Sequence, residues 1–465
     1  MNANTGNNIG VGEAFGDARL TLPTAQPLSL KAGFKLRETR ADDESAARRW
    51  NYVGASGLPA DSSIRTLAEH KAGLRLPRWE AAAFIRARSP VEAAAWREDL
   101  YYREQVRFTG TRGANERVSA AYAMAQGRAF GTGFLGGVRV ERTDTGSRGW
   151  VRARVGSTAA QQAADPVGSA QRDYAGTRRE LEGGYTKAFP SMHLTRDLTP
   201  NLKARLSWST SFGRPAMTNL LPNESVNETN QTVTTNNPSL LPQTARNWDA
   251  SLDYYFEPVG NLSVGWFRKE IRDYIVSGII AGTIGSGADN GYNGEYSGFT
   301  RLSSANAGSA IVQGWELGYR QQLTFLPGIL RGLAFSGNYT VLDTHGDFGG
   351  RTQLSSGQVA GFIPRTGNVS LSWRHRAFSV RYLLNYTGAH LQTYSPASLG
   401  RNLYRFSRTI QNLGFAYQLR PALSLTCDMD NLANEPQRRY RGIPDQLQAH
   451  NLTGTNVTVG VSGRF

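Results

Sequence analysis

The sequence predicts an all-β fold: a transmembrane antiparallel β-barrel present in part, about 15 strands with short turns on one rim and long loops on the other. Three observations carry this. Apolar and polar side chains alternate in segment after segment. The connections between those segments alternate short and long without exception. The composition is rich in glycine (51) and aromatics (10%) and low in charge (19%), which suits strands and turns better than helices. The mean hydropathy is −0.43 and no long apolar run exists. A spanning strand carries only alternate apolar residues, so neither fact argues against a barrel.

The alternation begins at Leu28, Leu30, Ala32, Phe34 and Leu36, set against Ser29, Lys31, Gly33, Lys35 and Arg37. Leu202, Ala204, Leu206, Trp208 and Phe212 repeat it, and so do Trp248, Ala250, Leu252, Tyr254 and Phe256. Next come Trp315, Leu317, Tyr319, Leu323 and Phe325; Leu333, Phe335, Tyr339 and Val341; and Phe378, Val380, Tyr382, Leu384 and Tyr386. Val457, Val459, Val461 and Phe465 close the series. Neighbouring strand residues face opposite sides, so each set is one face.

A soluble sandwich alternates in the same way, and connection length separates the two. Tight turns are expected near Pro23, Phe130, Pro200, Pro258, Pro327, His375 and Pro421, and long connections over 41–112, 145–182, 214–243, 278–309, 344–362, 391–404 and 433–452. Bacterial outer-membrane barrels have this asymmetry, with periplasmic turns and extracellular loops. Strands of roughly 9–11 residues suffice to cross the bilayer. The odd count places residue 1 on the outer side, whereas single-chain bacterial barrels have even counts. The expectation is one partial barrel over 1–465 whose first strands are missing. Within the first loop, Ser89-Pro90 before VEAAAWREDLYYREQ reads as a capped helix over 91–105.

A net charge of +15 raises nucleic acid as a partner, but the basic residues are spread over the whole chain and no recognition motif is present. Solvated loops and a polar lumen account for the charge without nucleic acid. The single cysteine, Cys427, excludes an intrachain disulfide and is expected to face lipid with Leu423, Leu425 and Met429. Gly131 to Gly136 fits G-x-G-x-x-G, but a strand follows where a dinucleotide site needs a helix, so a turn is expected. His70, His193, His345, His375, His390 and His450 are dispersed, and Asp343 to Asp347 reads as solvated outer loop. No catalytic, cofactor or metal constellation is present, so an enzyme is not expected.

If the apolar set faces lipid, then Lys31, Lys35, Arg37, Lys203, Arg205, Arg320 and Arg381 point into the lumen. A charge on the lipid face would cost roughly 2–4 kcal/mol at the midplane. Two readings stand: a basic lumen that favours an anionic ligand, or residues paired with acidic partners on neighbouring strands or an inner domain. Arg37 lies nearer the outside and is assigned to the substrate path. Lys203, Arg205, Arg320 and Arg381 lie near the periplasmic end.

Several stretches in order carry a family resemblance: GVRVERT from Gly137, FGRP from Phe212, NPSLLP from Asn237 leading to Asn247-Trp248-Asp249, KEIRDYI from Lys269, Gly314-Trp315-Glu316-Leu317, and NLANEP from Asn431. Together they resemble the C-terminal barrel of TonB-dependent receptors over roughly 115–465. The resemblance implies a barrel of about 22 strands around an N-terminal plug. It also implies uptake of a ferric siderophore, cobalamin, haem or oligosaccharide, driven by the inner-membrane TonB–ExbB–ExbD complex. Lys203, Arg205, Arg320 and Arg381 would then face the plug. The last strand resembles the signal read by the barrel assembly machinery. Plug, TonB box and signal peptide are not found, so the chain is expected to be a fragment inactive alone. The alternative from another class is a non-transporting structural or adhesin barrel in the same membrane.

Overall fold

The computed structural model describes residues 2–24, 26, 28–53, 65–66, 77–78, 94, 96–153, 155–228, 230–292, 294–306, 308–346, 357–395 and 398–463. Fifteen strands form one sheet in which every strand pairs antiparallel with its sequence neighbour. They are β1 (Asn2–Leu22), β2 (Leu28–Arg48), β3 (Arg112–Ala129), β4 (Thr132–Trp150), β5 (Arg178–Thr199), β6 (Leu202–Gly213), β7 (Gln243–Phe256) and β8 (Gly260–Arg272). The order continues with β9 (Ser309–Gln322), β10 (Leu333–Gly346), β11 (Arg365–His375), β12 (Phe378–Thr387), β13 (Arg408–Arg420), β14 (Leu423–Asp430) and β15 (Asn456–Gly463). Among the described residues no pairing joins β15 to β1.

The expected count and turn pattern are present, but β1, β2 and β5 run to 21, 21 and 22 residues, about twice the spanning length. Their hairpins continue to pair beyond the lipid, which shortens the first two long connections to 49–111 and 151–177. Asp343 and His345, expected in a loop, belong to the outer end of β10, where the imidazole Nε2 lies 3.1 Å from the carboxylate. Asp347, His70 and Phe465 lie outside the described residues. At the G-x-G-x-x-G stretch Phe130 and Gly131 take positive φ (50° and 75°) and make the two-residue β3–β4 turn, as a glycine there permits.

Register fixes the faces. Leu206, Ala250, Trp266, Trp315 and Val341 are consecutive partners across β6 to β10, and Ala204, Leu252, Val264, Leu317 and Tyr339 form the parallel row. Leu252, Trp315 and Leu317 stay 46%, 54% and 47% exposed, so these rows bury against no protein and meet lipid. Two aromatic bands bracket them. Towards the outside stand Trp208 and Trp248, with ring centres 6.2 Å apart. Towards the periplasm Tyr254, Phe256, Tyr319 and Phe335 form a chain with successive ring centres 5.8, 6.1 and 5.8 Å apart. Such girdles mark the two membrane interfaces. Cys427 pairs between Phe415 and Val459 on the same lipid side.

Three residues of the predicted apolar sets depart. Phe212 stacks on Phe189, 4.6 Å away, beneath the Arg214 guanidinium. Phe189 shares the inner face with Glu141 by register, so Phe212 turns inward where β5–β6 pairing has already ended at Ser209. Leu323 and Phe325 fall past the end of β9, in the turn. The apolar core proper lies inside, under the loops, where Ile271, Ala310 and Val312 pack with Val276 and Val359.

The loop helix differs from expectation. Residues 89–93 lie outside the described residues, Trp96–Glu98 is a strand paired with Trp50–Tyr52, and α1 spans Leu100–Thr109. Its cap is Asp99, whose carboxylate accepts from the Tyr102 amide at 2.9 Å. Over Trp96–Glu98 strand pairing, with Trp96 packed edge-on to Tyr52 at 5.3 Å, stands where a helix was expected. The second loop holds α2 (Ala159–Ala164) and α3 (Pro166–Tyr174), and α4 (Met217–Leu220) follows β6.

Candidate functional site

By register the seven cations expected in the lumen lie on the face opposite the apolar rows, and among the described residues four of them have acidic partners on their own wall. Lys31 bonds Asp17 and Lys35 bonds Glu13, each at 2.9 Å. Lys203 stands 3.6 Å from Asp197, and Arg205 is ion-paired to Asp253 on β7. Arg37, opposite Glu13 and Val118, and Arg320 and Arg381 are exposed and in no ion pair among the described residues. The four residues near the periplasmic rim are strung over β6, β9 and β12 and form no single cluster.

A lumen network that the sequence did not reveal lies higher. Arg214, leaving β6, bonds Glu141 of β4 at 2.6 Å and stands 3.6 Å from Glu116 of β3. Arg139 holds the same Glu141 at 2.5 Å. Glu141 is buried, and its ion partners satisfy it. The only local signal was the FGRP stretch itself.

Above the wall, the connections after β2, β4, β6 and β8 enclose a chamber of about 1080 Å³. Six aromatic residues line it: Tyr101, Tyr102, Trp150, Tyr174, Tyr292 and Tyr296. Phe108 of α1 backs them, stacking on Tyr174 at 6.0 Å and meeting Trp150 at 6.4 Å. Arg178 lies over the Trp150 ring at 5.6 Å. Burial, with Glu224 and Tyr296 nearby, pushes the Tyr292 phenol up to about 12 against the pull of Arg301, so it remains a neutral hydrogen-bond donor at ordinary pH.

One buried ionic knot ties the chamber walls together. Asp173 of α3, 1% exposed, accepts from the Ser157 amide (2.6 Å) and hydroxyl (2.8 Å), from the Tyr101 hydroxyl (2.6 Å) and from Arg152 (3.3 Å). Arg152 also pairs with Glu295, 143 residues away on the loop after β8. Burial disfavours the Arg152 charge, but Glu295, Tyr101 and Asp173 outweigh it and hold the guanidinium more firmly protonated than usual. The Asp173–Arg152 pair thus fastens three loops, Asp173 through Tyr101 and Arg152 through Glu295.

Glu224 differs: it is half-buried on the chamber wall and in no ion pair among the described residues. Burial pushes its carboxyl above the usual range, against Arg179 and Arg301. An acid with a raised folded value stabilises most below its unfolded value, roughly 4.3, and loses that contribution as pH rises through the folded value. Glu224→Gln is therefore expected to steady this loop at neutral pH and to flatten its acid-favoured response, read by amide exchange over 224–235 between about pH 4 and pH 8. An unchanged pH response would refute the assignment. Among the described residues no group of three or more His, Cys, Asp or Glu is placed to hold a metal ion.

No curated protein sequence matches the chain. Solved structures do. The ferric-catecholate import receptor Fiu of E. coli K12 superposes with a TM-score of 0.62 at 14% identity, over 100% of this chain and 55% of that one. The siderophore receptor PirA of Acinetobacter baumannii gives 0.58 at 13%, over 99% and 55%. The haemophore receptor HasR of Serratia marcescens, solved with its haemophore HasA and haem, gives 0.58 at 14%, over 100% and 60%. At such identities the likeness shows the fold, and the chain spans little more than half the length of these receptors. The family described as TonB dependent receptor-like, beta-barrel matches residues 3–432. The chain belongs to that family, a group of outer-membrane transport receptors and not of enzymes.

Proposed function

We propose that this chain supplies the lipid-facing wall and the outer ligand vestibule of a receptor that takes up a scarce, compact ligand by TonB-driven transport. The aromatic chamber above the lumen carries the reading. Its size suits a compact ligand, and its rings offer flat faces to a haem macrocycle, a ferric catecholate, a corrin or a sugar. Fiu is a ferric-catecholate import receptor and HasR a receptor for a haem-bearing haemophore. A purely structural or adhesive barrel needs no such enclosure.

In this reading residues 1–465 are one partial barrel. Further strands close it between the free edges of β1 and β15, and a plug fills it. The TonB–ExbB–ExbD complex engages the region that carries the plug, and the assembly machinery reads β15. Arg37, unpaired and partway up the lumen, lies on the ligand path. Lys203, Arg205, Arg320 and Arg381 line the seat of the plug.

The test uses a whole receptor containing this chain, with radio-iron ferric catecholate and haem as probes. Trp150→Ala combined with Tyr292→Ala is expected to weaken binding of the accepted probe about tenfold, from two lost ring contacts of roughly 0.5–1.5 kcal/mol each. Deleting TonB should abolish uptake and spare binding. The chain alone, reconstituted in vesicles, is expected to transport neither probe. Undiminished binding by the double variant would overturn the vestibule, and uptake by the chain alone would overturn the partial barrel.

A further inference from the structure

The connections after β12 and β14 fold together into a separate four-stranded sheet outside the wall, made of His390–Thr393, Leu403–Arg405, Gln437–Arg441 and Leu447–Asn451. These segments contain Arg405, Arg438, Arg439 and Arg441, with His390 and His450, and not one aspartate or glutamate. Register worsens the imbalance. Arg405 is the direct partner of Arg439, and His390 is the direct partner of Arg405, so three basic side chains stand in one row on one face. Like charges directly opposite in an antiparallel pair repel.

Among the described residues no carboxylate relieves this. Among the described residues none of these arginines, nor Arg408 at the start of β13, is in an ion pair; Arg405 bonds only the neutral Gln392, at 2.9 Å. The Nε donors of Arg408, Arg438 and Arg439 are buried and have no hydrogen-bond partner. A buried guanidinium donor left unsatisfied is costly, and in the Arg405–Arg439 row the Arg439 donor calls for an acceptor from outside. The opposite face is built to hold them still: Tyr404 stacks on Tyr440 at 5.1 Å, Phe406 packs against Tyr440 at 4.7 Å, and Arg438 lies over Phe406 at 4.8 Å.

We propose that this sheet is an anion-binding site for a soluble ligand bearing two or more carboxylate or phosphate groups. Guanidinium forks pair bidentately with such groups, and the Arg405–Arg439 spacing lets two of them share one ligand. The site is separate from the aromatic chamber, whose loops follow β2 to β8, and it stands whether or not that chamber captures ligand.

The probe is inorganic pyrophosphate, titrated calorimetrically into the detergent-solubilised full chain at constant ionic strength. Arg405→Gln and Arg439→Gln are each expected to weaken binding about tenfold, the usual worth of a charge-assisted bond. Arg439→Gln should also raise the melting temperature without ligand, because it removes the like-charge pair; this separates loss of a site from loss of the fold. Arg246→Gln, at an exposed arginine on the lipid side of β7, should leave binding unchanged. Equal affinity in the wild type and both variants would overturn the proposal. Binding only to phosphatidic acid in phosphatidylcholine nanodiscs, with none to free pyrophosphate, would overturn it as well.

Discussion

Arg152→Met is expected to release the chamber loops while leaving the wall folded. The guanidinium that it removes is 11% exposed and is the cation for both Asp173, 1% exposed, and Glu295. Breaking a buried pair by removing one partner costs roughly 3–5 kcal/mol, since the remaining charge is stranded out of water. Asp173 keeps its bonds from Ser157 and Tyr101, so the lower end of that range applies. Glu295 keeps none of its pairing, and among the described residues no other ion pair ties the loop after β8 to the one after β4. Amide exchange should accelerate about a hundredfold or more over 155–174 and 292–299, corresponding to about 3 kcal/mol. Exchange within β3 to β13 should not change. Arg152→Lys would restore the charge but not the two-sided reach of the fork, so partial protection is expected. Unaltered exchange in Arg152→Met would show that the three loops are held by something else.

That knot also marks where the sequence stopped being legible. The wall was readable because its signal is local: every second residue is apolar, and a strand shows its face within ten residues. Hence Leu252, Trp315 and Cys427 face lipid as expected, and the fifteen strands pair in the expected order. Loop partners carry no period. Arg152 and Glu295 meet across 143 residues, and Arg214 reaches Glu141 across 73, with nothing near either to announce the other. The helix expected over 96–98 failed for a related reason: Trp96–Glu98 pairs with Trp50–Tyr52, a strand some forty residues upstream. The arginines of QRRYR passed as part of a dispersed basic charge, and their meaning came from the register that sets Arg439 against Arg405. Alternation alone set the cations expected in the lumen opposite the apolar face, while the partners of four of them, Asp17, Glu13, Asp197 and Asp253, became evident only once the strands were paired.

Leu252→Arg should damage the wall itself. Leu252 sits between Ala204 and Val264 on the outer face, between the Trp248 and Tyr254 levels, and is 46% exposed with no protein above it. An arginine there meets hydrocarbon, and the cost is roughly 2–4 kcal/mol near the midplane. One register row towards the periplasm, the lumen side tolerates the same change. Ser263, between Asp253 and Gly318, is on the polar face beside the Asp253–Arg205 pair, so Ser263→Arg keeps its charge out of hydrocarbon and is expected to cost less. The comparison is made in the whole receptor, from folded yield in the outer-membrane fraction and from urea unfolding in vesicles. Cysteines at Leu252 and Asp253, in a Cys427-free background, give an independent reading: a water-soluble thiol reagent should label position 253 and spare 252. Equal tolerance of both arginines together with equal labelling would mean that the alternating apolar face does not meet lipid. The girdles of Trp208 and Trp248 and of Tyr254 to Phe335 would then have no membrane to bracket. If the pair separates as expected, a single side chain distinguishes the two sides of the sheet, because hydrocarbon excludes the charge on one side and water accepts it on the other.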